Sequence, residues 1–267
     1  MTDGRGRRLS IDLNADLGEW DSTSPAAEEA RLADLRLMGQ VTSVNVACGG
    51  HCGDLGSMRA TVGAALDHGV AIGAHPSFAD REGFGRRDLA PAPDLLRHAI
   101  AGQIAALAGV AAAAGTRLSH VKPHGALYTL AARERSVADC IVRAVADVDD
   151  RMAVVGPSGS ELLSAARVAG LGIAAEVFAD RAYADDGRLL PRGRAGAMID
   201  DPEAAAERLV RIVREGRVAT AGGLEIAVEA DTACLHGDTP GAAAMARAIR
   251  RALAAADIDV RAATARR

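Results

Sequence analysis

The feature that most restricts how this 267-residue chain can fold is a regular alternation of two patterns. Short β-branched or alternating runs occur at Leu9 to Asn14, Thr42 to Ala47, Val70 to His75, Leu118 to Lys122, Met152 to Val155, Ile173 to Phe178 and Thr232 to His236. Between them, apolar residues recur at helical spacing over 27–38, 57–67, 94–114, 136–148, 160–169, 202–215 and 242–256. Strand and helix therefore alternate from end to end, which predicts βαβ units around a parallel sheet. No linker rich in Pro, Gly or Ser divides the series, so one domain is expected over 1–267. Its core spans about 9–258, with flexible ends at 1–8 and 261–267. Even spacing favours a closed or nearly closed barrel over a two-domain doubly wound sheet. The residues 224–228 are expected to add an antiparallel strand against 232–236, and 180–201 reads as a long loop.

Charge and motifs exclude several functions. Thirty-five acidic residues against 31 basic ones give a net charge of −4, without the basic excess of a nucleic-acid binder. The first ten residues carry Arg5, Arg7 and Arg8 but no apolar stretch of the secretory kind. The longest weakly polar run, Ile104 to Gly115, falls short of the ~20 residues that a membrane span requires. Cys48, Cys52, Cys140 and Cys234 form no disulfide-like framework, as expected of free thiols in the cytoplasm. A phosphate-binding P-loop needs a lysine after glycine, whereas Lys122 follows Val121. The Gly170, Gly172, Ala175 string precedes a strand instead of following one, and no G-x-S-x-G elbow occurs.

Composition points to the residues that matter. Among 31 basic residues there is a single lysine, Lys122, and the chain has only six aromatics. A compact, tunable ammonium is what arginine cannot supply, so Lys122 is assigned a catalytic or ligand-binding role. Along the first strand Asp12, Asn14 and Asp16 alternate with Leu9, Ile11 and Leu13. Residues two apart share a face, so this polar set points into the barrel. The same logic directs His120 and Lys122 inward, with His124 just beyond them, together with Glu176, Phe178 and Asp180. Asn45, His75, Cys234 and His236 lie near their own strand ends. Buried charges require partners, and the carboxyl-terminal rim is where βα barrels build active sites.

Four of the seven histidines, His51, His75, His124 and His236, stand in strand-to-helix turns, while His68 and His98 read as ordinary helix residues. Cys48, His51 and Cys52 lack the second pair that a zinc knuckle needs. A divalent ion on Asp16, His51 and His75 is the metal site the spacing allows, two imidazoles and a carboxylate leaving open positions. Asp54 or Ser57 is the expected cap of the following helix. Arg86, Arg87, Arg181, Arg192 and Arg194 are candidates to clamp a carboxylate or phosphate.

Six ordered strings now stand together: DLNADLGE from Asp12, SVNVACGGHCGD from Ser43, GAHPSFADREGFGRR from Gly73, HVKPHGALY from His120, EVFADRAY from Glu176 and HGDTP from His236. They resemble the LamB/YcsF family, in register from about residue 9 to 258. The resemblance implies a (β/α)7 TIM-like barrel akin to the glycoside hydrolase/deacetylase superfamily. It also implies participation in a prokaryotic ATP-dependent 5-oxoprolinase, in which ATP is co-substrate and subunits B and C are partners. The family more often has an aromatic at the position of Gly50 and Ala at that of Cys52, which implies a roomier loop here.

A lactam carbonyl is a poor electrophile, so its opening needs phosphoryl activation. The expected catalytic set is Asp16, Lys122, His124 and Glu176. Ligand positioning is expected from Asn14, Asn45, His51, His75, Arg86, Arg181, His236 and Asp238. Two alternatives remain: a metal-dependent hydrolase or deacetylase of a carbohydrate or amide, and a non-catalytic binding subunit of the complex.

Overall fold

The computed structural model describes residues 8–235 and 241–263. The chain opens with β1 (Ser10–Leu17), α1 (Ala27–Met38), β2 (Ser43–Ala47), α2 (Leu55–Asp67), β3 (Ala71–His75) and α3 (Pro93–Ala113). It continues through β4 (His120–Val121), α4 (Gly125–Ala131), α5 (Arg135–Val148), β5 (Ala153–Pro157), α6 (Glu161–Val168) and β6 (Ile173–Phe178). The last part comprises α7 (Pro202–Glu215), β7 (Arg217–Ala219), β8 (Glu225–Ala227), β9 (Thr232–Leu235), α8 (Ala242–Ala255) and β10 (Asp259–Val260).

Strands β1 to β6 pair in parallel in chain order, β6 pairs with β9, and β9 returns to β1 with Asp12 opposite Thr232. This closes the expected (β/α)7 barrel, and β10 pairs with Ser10 and Ile11 at the start of β1.

Alternation decides the packing. On β1, Ile11, Leu13, Ala15 and Leu17 are buried against the surrounding helices, while Asp12 and Asn14 are equally buried in the interior. A parallel strand covered on both faces is usually apolar throughout. Here one face is polar because the barrel interior, unlike the shell, is filled with hydrogen-bonding groups. The helical shell relies on Ala, Leu, Ile and Val, and α3 buries Leu96, Ile100, Ile104 and Leu107 along one stripe.

Although the Ile104 to Gly115 run is too short by itself, α3 over Pro93–Ala113 is long and apolar enough to cross a membrane by length and composition, and among the described residues it is the one such helix. Asp54 caps α2 in a reciprocal capping box with Ser57. Pro202 starts α7 and left-handed Gly216 ends it.

Two local expectations are corrected and one helix is added. Glu225–Ala227 pairs antiparallel with Arg217–Ala219, not with β9, because β9 is already flanked on both sides by β6 and β1. The added helix is the seven-residue α4, too short to show a period, which follows β4 after Lys122, Pro123 and His124. The loop at Gly50 is not roomier: a Cβ there would collide with Gln103 Oε1 and Ser77 Oγ. The stretch 180–201 is irregular as expected, tied by the isolated bridges Arg181 to Met198 and Tyr183 to Leu189.

Candidate active site

Lys122 lies just past β4, buried at the centre of the carboxyl-terminal half of the barrel. Its Nζ is 3.0 Å from Asp16 Oδ1, 2.9 Å from Glu176 Oε1, 3.2 Å from Asn14 Oδ1 and 3.0 Å from Cys234 Sγ. An ammonium has three protons, so four neighbours saturate it. A substrate oxygen gains a proton donor here only by displacing one of them. Burial works against the charge, but Asp16, the Cys234 sulfur and Glu176 outweigh it and hold the Lys122 pKa well above its ordinary value.

Glu176 is fixed from both sides. Asn14 Nδ2 donates to its Oε1 at 2.9 Å and the Tyr128 hydroxyl to its Oε2 at 2.6 Å. Asn45 Nδ2 donates to Asn14 Oδ1 and Asp16 Oδ1 at 2.7 and 2.8 Å, while its own oxygen accepts from His120 Nε2 at 2.8 Å. Burial, aided by Lys122, pushes the His120 pKa down to about 4, so this ring is neutral. The Phe178 ring closes one side, its centroid 5.9 Å from the Lys122 nitrogen.

Next to Asp16, three imidazoles surround a second carboxylate. Gly18, at φ +73, turns the chain after β1, and a Cβ there would approach Thr61 Oγ1 to 3.0 Å. That turn brings Glu19 Oε1 to 2.9 Å from His51 Nε2, 3.3 Å from His124 Nδ1 and 3.9 Å from His75 Nε2. His51 and His124 stack with centroids 3.7 Å apart, and Phe84 packs edge-on against both. Burial opposes the Glu19 charge, yet the imidazoles of His124, His51 and His75 around it keep its pKa below the usual range. One ligand atom from each of Glu19, His51, His75 and His124 lies within 4.8 Å of the others, a set able to hold a metal ion.

Most residues picked from sequence converge here: Asn14, Asp16, Asn45, His51, His75, Lys122, His124 and Glu176. Asp16 sits at the edge of the imidazole group, with Oδ2 3.3 Å from His75 Nε2. Arg181 is buried, but its Nη2 donates to the Leu190 carbonyl at 2.6 Å, which ties it to the long loop. Arg86 is exposed and lies 5.0 Å over the Phe84 ring. Arg87 is spent on Asp80. His68 and His98 bond to carbonyls of their own helices. His236 and Asp238 lie outside the described residues.

Sequence reasoning gave no role to Glu19 or Tyr128. Glu19 closes the first of the six strings and Tyr128 the fourth, so their position in those strings was the signal that could have singled them out.

The LamB/YcsF family model matches residues 11–267. The chain is 50% identical over 251 residues to the A-subunit of 5-oxoprolinase from Methylococcus capsulatus, covering 94% of this chain and 95% of that protein. Its counterpart of the same name from Nocardia farcinica is 48% identical, over 95% of this chain and 99% of its own length. The crystal structure of a lactam utilization protein from Thermus thermophilus superposes with a TM-score of 0.87 at 43% identity, covering 95% of this chain and 100% of that one.

Proposed function

The chain belongs to the LamB/YcsF family, and from that premise we propose that it is the A component of an ATP-dependent 5-oxoprolinase. In this reading it opens the lactam of 5-oxo-L-proline to L-glutamate together with subunits B and C. The observation that carries the reading is the near full-length identity to proteins of that name. A buried ammonium between two carboxylates supports it chemically.

The overall chemistry balances as follows. The γ-phosphoryl group of ATP passes to the lactam oxygen, releasing ADP, and water adds to the ring carbon. The ring C–N bond then breaks, with the nitrogen taking a proton, and a second water removes phosphate to leave glutamate. Lys122 offsets the negative charge that develops on the oxygen. Asp16, beside it, orients the water, takes its proton and returns it to the departing nitrogen, with His124 and His75 next to it on the side where charge develops. Glu176, braced by Tyr128 and Asn14, positions the ammonium. Asn14, Asn45 and His51 are assigned to the ligand, and Arg86 to phosphate, whereas the Arg181 guanidinium is held by the Leu190 carbonyl. His236 and Asp238 are assigned to the same ligand. ATP is assigned to a site formed with a partner subunit, and none of its binding is assigned to a P-loop in this chain. Free Cys48, Cys52, Cys140 and Cys234 suit the cytoplasmic setting of this reaction.

The imidazole group favours a second reading, a metal-dependent hydrolase of an amide or carbohydrate. The deciding experiment is glutamate release from 5-oxo-L-proline with and without ATP, and with and without subunits B and C. Release that requires ATP and the partners supports the first reading. ATP-independent hydrolysis lost to a chelator supports the second.

A further inference from the structure

The tautomers of two histidines are fixed by backbone carbonyls. His75 Nδ1 is 2.7 Å from the Lys122 carbonyl and His124 Nε2 is 2.9 Å from that of Phe84. A carbonyl only accepts, so both of these nitrogens carry hydrogen and the opposite nitrogens present lone pairs. Those lone pairs, on His75 Nε2 and His124 Nδ1, face each other at 3.1 Å. Two acceptors at that separation repel unless a cation lies between them.

Beside them, Glu19 Oε1 supplies negative charge at 3.3 Å from His124 and 2.9 Å from His51 Nε2. His51 Nδ1 is buried without a hydrogen-bond partner. With no ion present the Glu19 carboxylate draws the His51 proton to Nε2; Nδ1 is engaged by nothing else, so the proton can move there and leave Nε2 a lone pair for an ion.

We infer that Glu19, His51, His75 and His124 bind one divalent transition-metal ion. Ligands 2.0–2.1 Å from a tetrahedral centre stand about 3.3–3.4 Å apart. The separations here, 2.9, 3.1, 3.3 and 3.9 Å, bracket that edge. Backbone carbonyls on the far nitrogens of His75 and His124 are the outer supports that ligating imidazoles require. Three nitrogens and one carboxylate select Zn²⁺ or Co²⁺ over Mg²⁺ and Ca²⁺, which need mostly oxygen ligands. Compared with the set expected from sequence, Glu19 and His124 join His51 and His75, and Asp16 stays beside Lys122. The inference goes beyond the lactam reaction and is read without it.

The test uses the full chain, stripped by chelator and titrated with Co²⁺, Zn²⁺ and Mg²⁺. Metal is counted by mass spectrometry and the Co²⁺ visible spectrum is recorded. The expected result is one equivalent of Co²⁺ with the intense absorption of a four-coordinate site, displaced by Zn²⁺ and not by Mg²⁺. His124→Ala and Glu19→Gln, checked for folding by circular dichroism, weaken uptake at least about 10-fold, and Cys52→Ser leaves it unchanged. Failure of the unmodified chain to take up Co²⁺, with an imidazolium signal for His75 in its NMR spectrum, means that a proton lies between the rings and overturns the inference. Uptake undiminished in a folded His124→Ala protein overturns it too.

Discussion

At the amino-terminal end of the barrel, the carboxylate of Asp12 accepts hydrogen bonds from the hydroxyls of Thr42, Ser43 and Thr232. At the carboxyl-terminal end, Asp16, Glu176 and Glu19 instead face an ammonium and three imidazoles. Both ends are buried, and a cavity of ≈210 Å³ at the amino-terminal end is lined in part by Asp12, Ser119, His120 and Thr232. Those groups already have partners: Thr232 also accepts from Asn14, and His120 sits between Ser119 and Asn45.

Neutral hydroxyls and amides can satisfy a buried polar layer completely, and such a layer specifies register without inviting a ligand. At the other end the ammonium is satisfied by its neighbours, but the facing lone pairs of His75 and His124 cannot satisfy each other. The carboxyl-terminal end is therefore where a ligand gains most, as the placement of barrel active sites leads one to expect.

The largest effect that can break this contrast comes from Lys122→Met. Removing the ammonium leaves Asp16 and Glu176 as like charges, at a cost of about 3–5 kcal/mol in chemical denaturation. It also lowers glutamate formation by about 10²–10³-fold in the coupled assay.

Gly73→Ala comes next, because a Cβ at Gly73 would run into the His120 ring at Nε2. The clash with the ring and with Asn45 behind it destabilises the barrel by about 3 kcal/mol in thermal or denaturant melts.

Asp34 tests whether the turn carrying Glu19 is held from outside the barrel. It accepts from the Gly18 amide and Trp20 Nε1, both at 2.9 Å, and burial, with Glu19 nearby, raises its pKa from 3.8 to about 6. A carboxyl with a raised folded pKa binds more protons when native. Its contribution is present below the unfolded value and is lost as pH rises through about 6. Asp34→Asn should therefore remove up to about 3 kcal/mol of the difference in stability between acid and neutral pH, measured by parallel denaturant melts.

The smallest effect is that of Thr232→Val, which takes one donor from Asp12 and one acceptor from Asn14. It costs roughly 1–2 kcal/mol and leaves the KM for 5-oxo-L-proline unchanged.

The inward polar set was legible because alternation along a strand has a period of two. Asp12, Asn14 and Asp16 on β1 and His120 and Lys122 around β4 needed no more than that rule. Lys122 stood out because the chain otherwise uses arginine.

What sequence could not supply are contacts made through irregular backbone. Glu19 reaches the imidazoles only because Gly18 reverses the chain, and His124 is oriented by the carbonyl of Phe84, a non-glycine residue at φ 53 in an aperiodic loop. Arg181 matches the pattern of a ligand clamp, but its neighbour across the bridge is Met198 and its bonded carbonyl is that of Leu190. The β7 and β8 pairing was hidden for a different reason: three-residue strands carry too little alternation to choose a partner.

The central claim is that the charged end of the barrel performs chemistry and the hydroxyl-satisfied end holds it in shape. It is tested most directly by ATP-dependent glutamate release from 5-oxo-L-proline, measured for Lys122→Met and Thr232→Val side by side, each assembled with subunits B and C. Activity is predicted to be lost in the first and retained per folded molecule in the second. Retained activity in Lys122→Met, or equal loss in both, would contradict it.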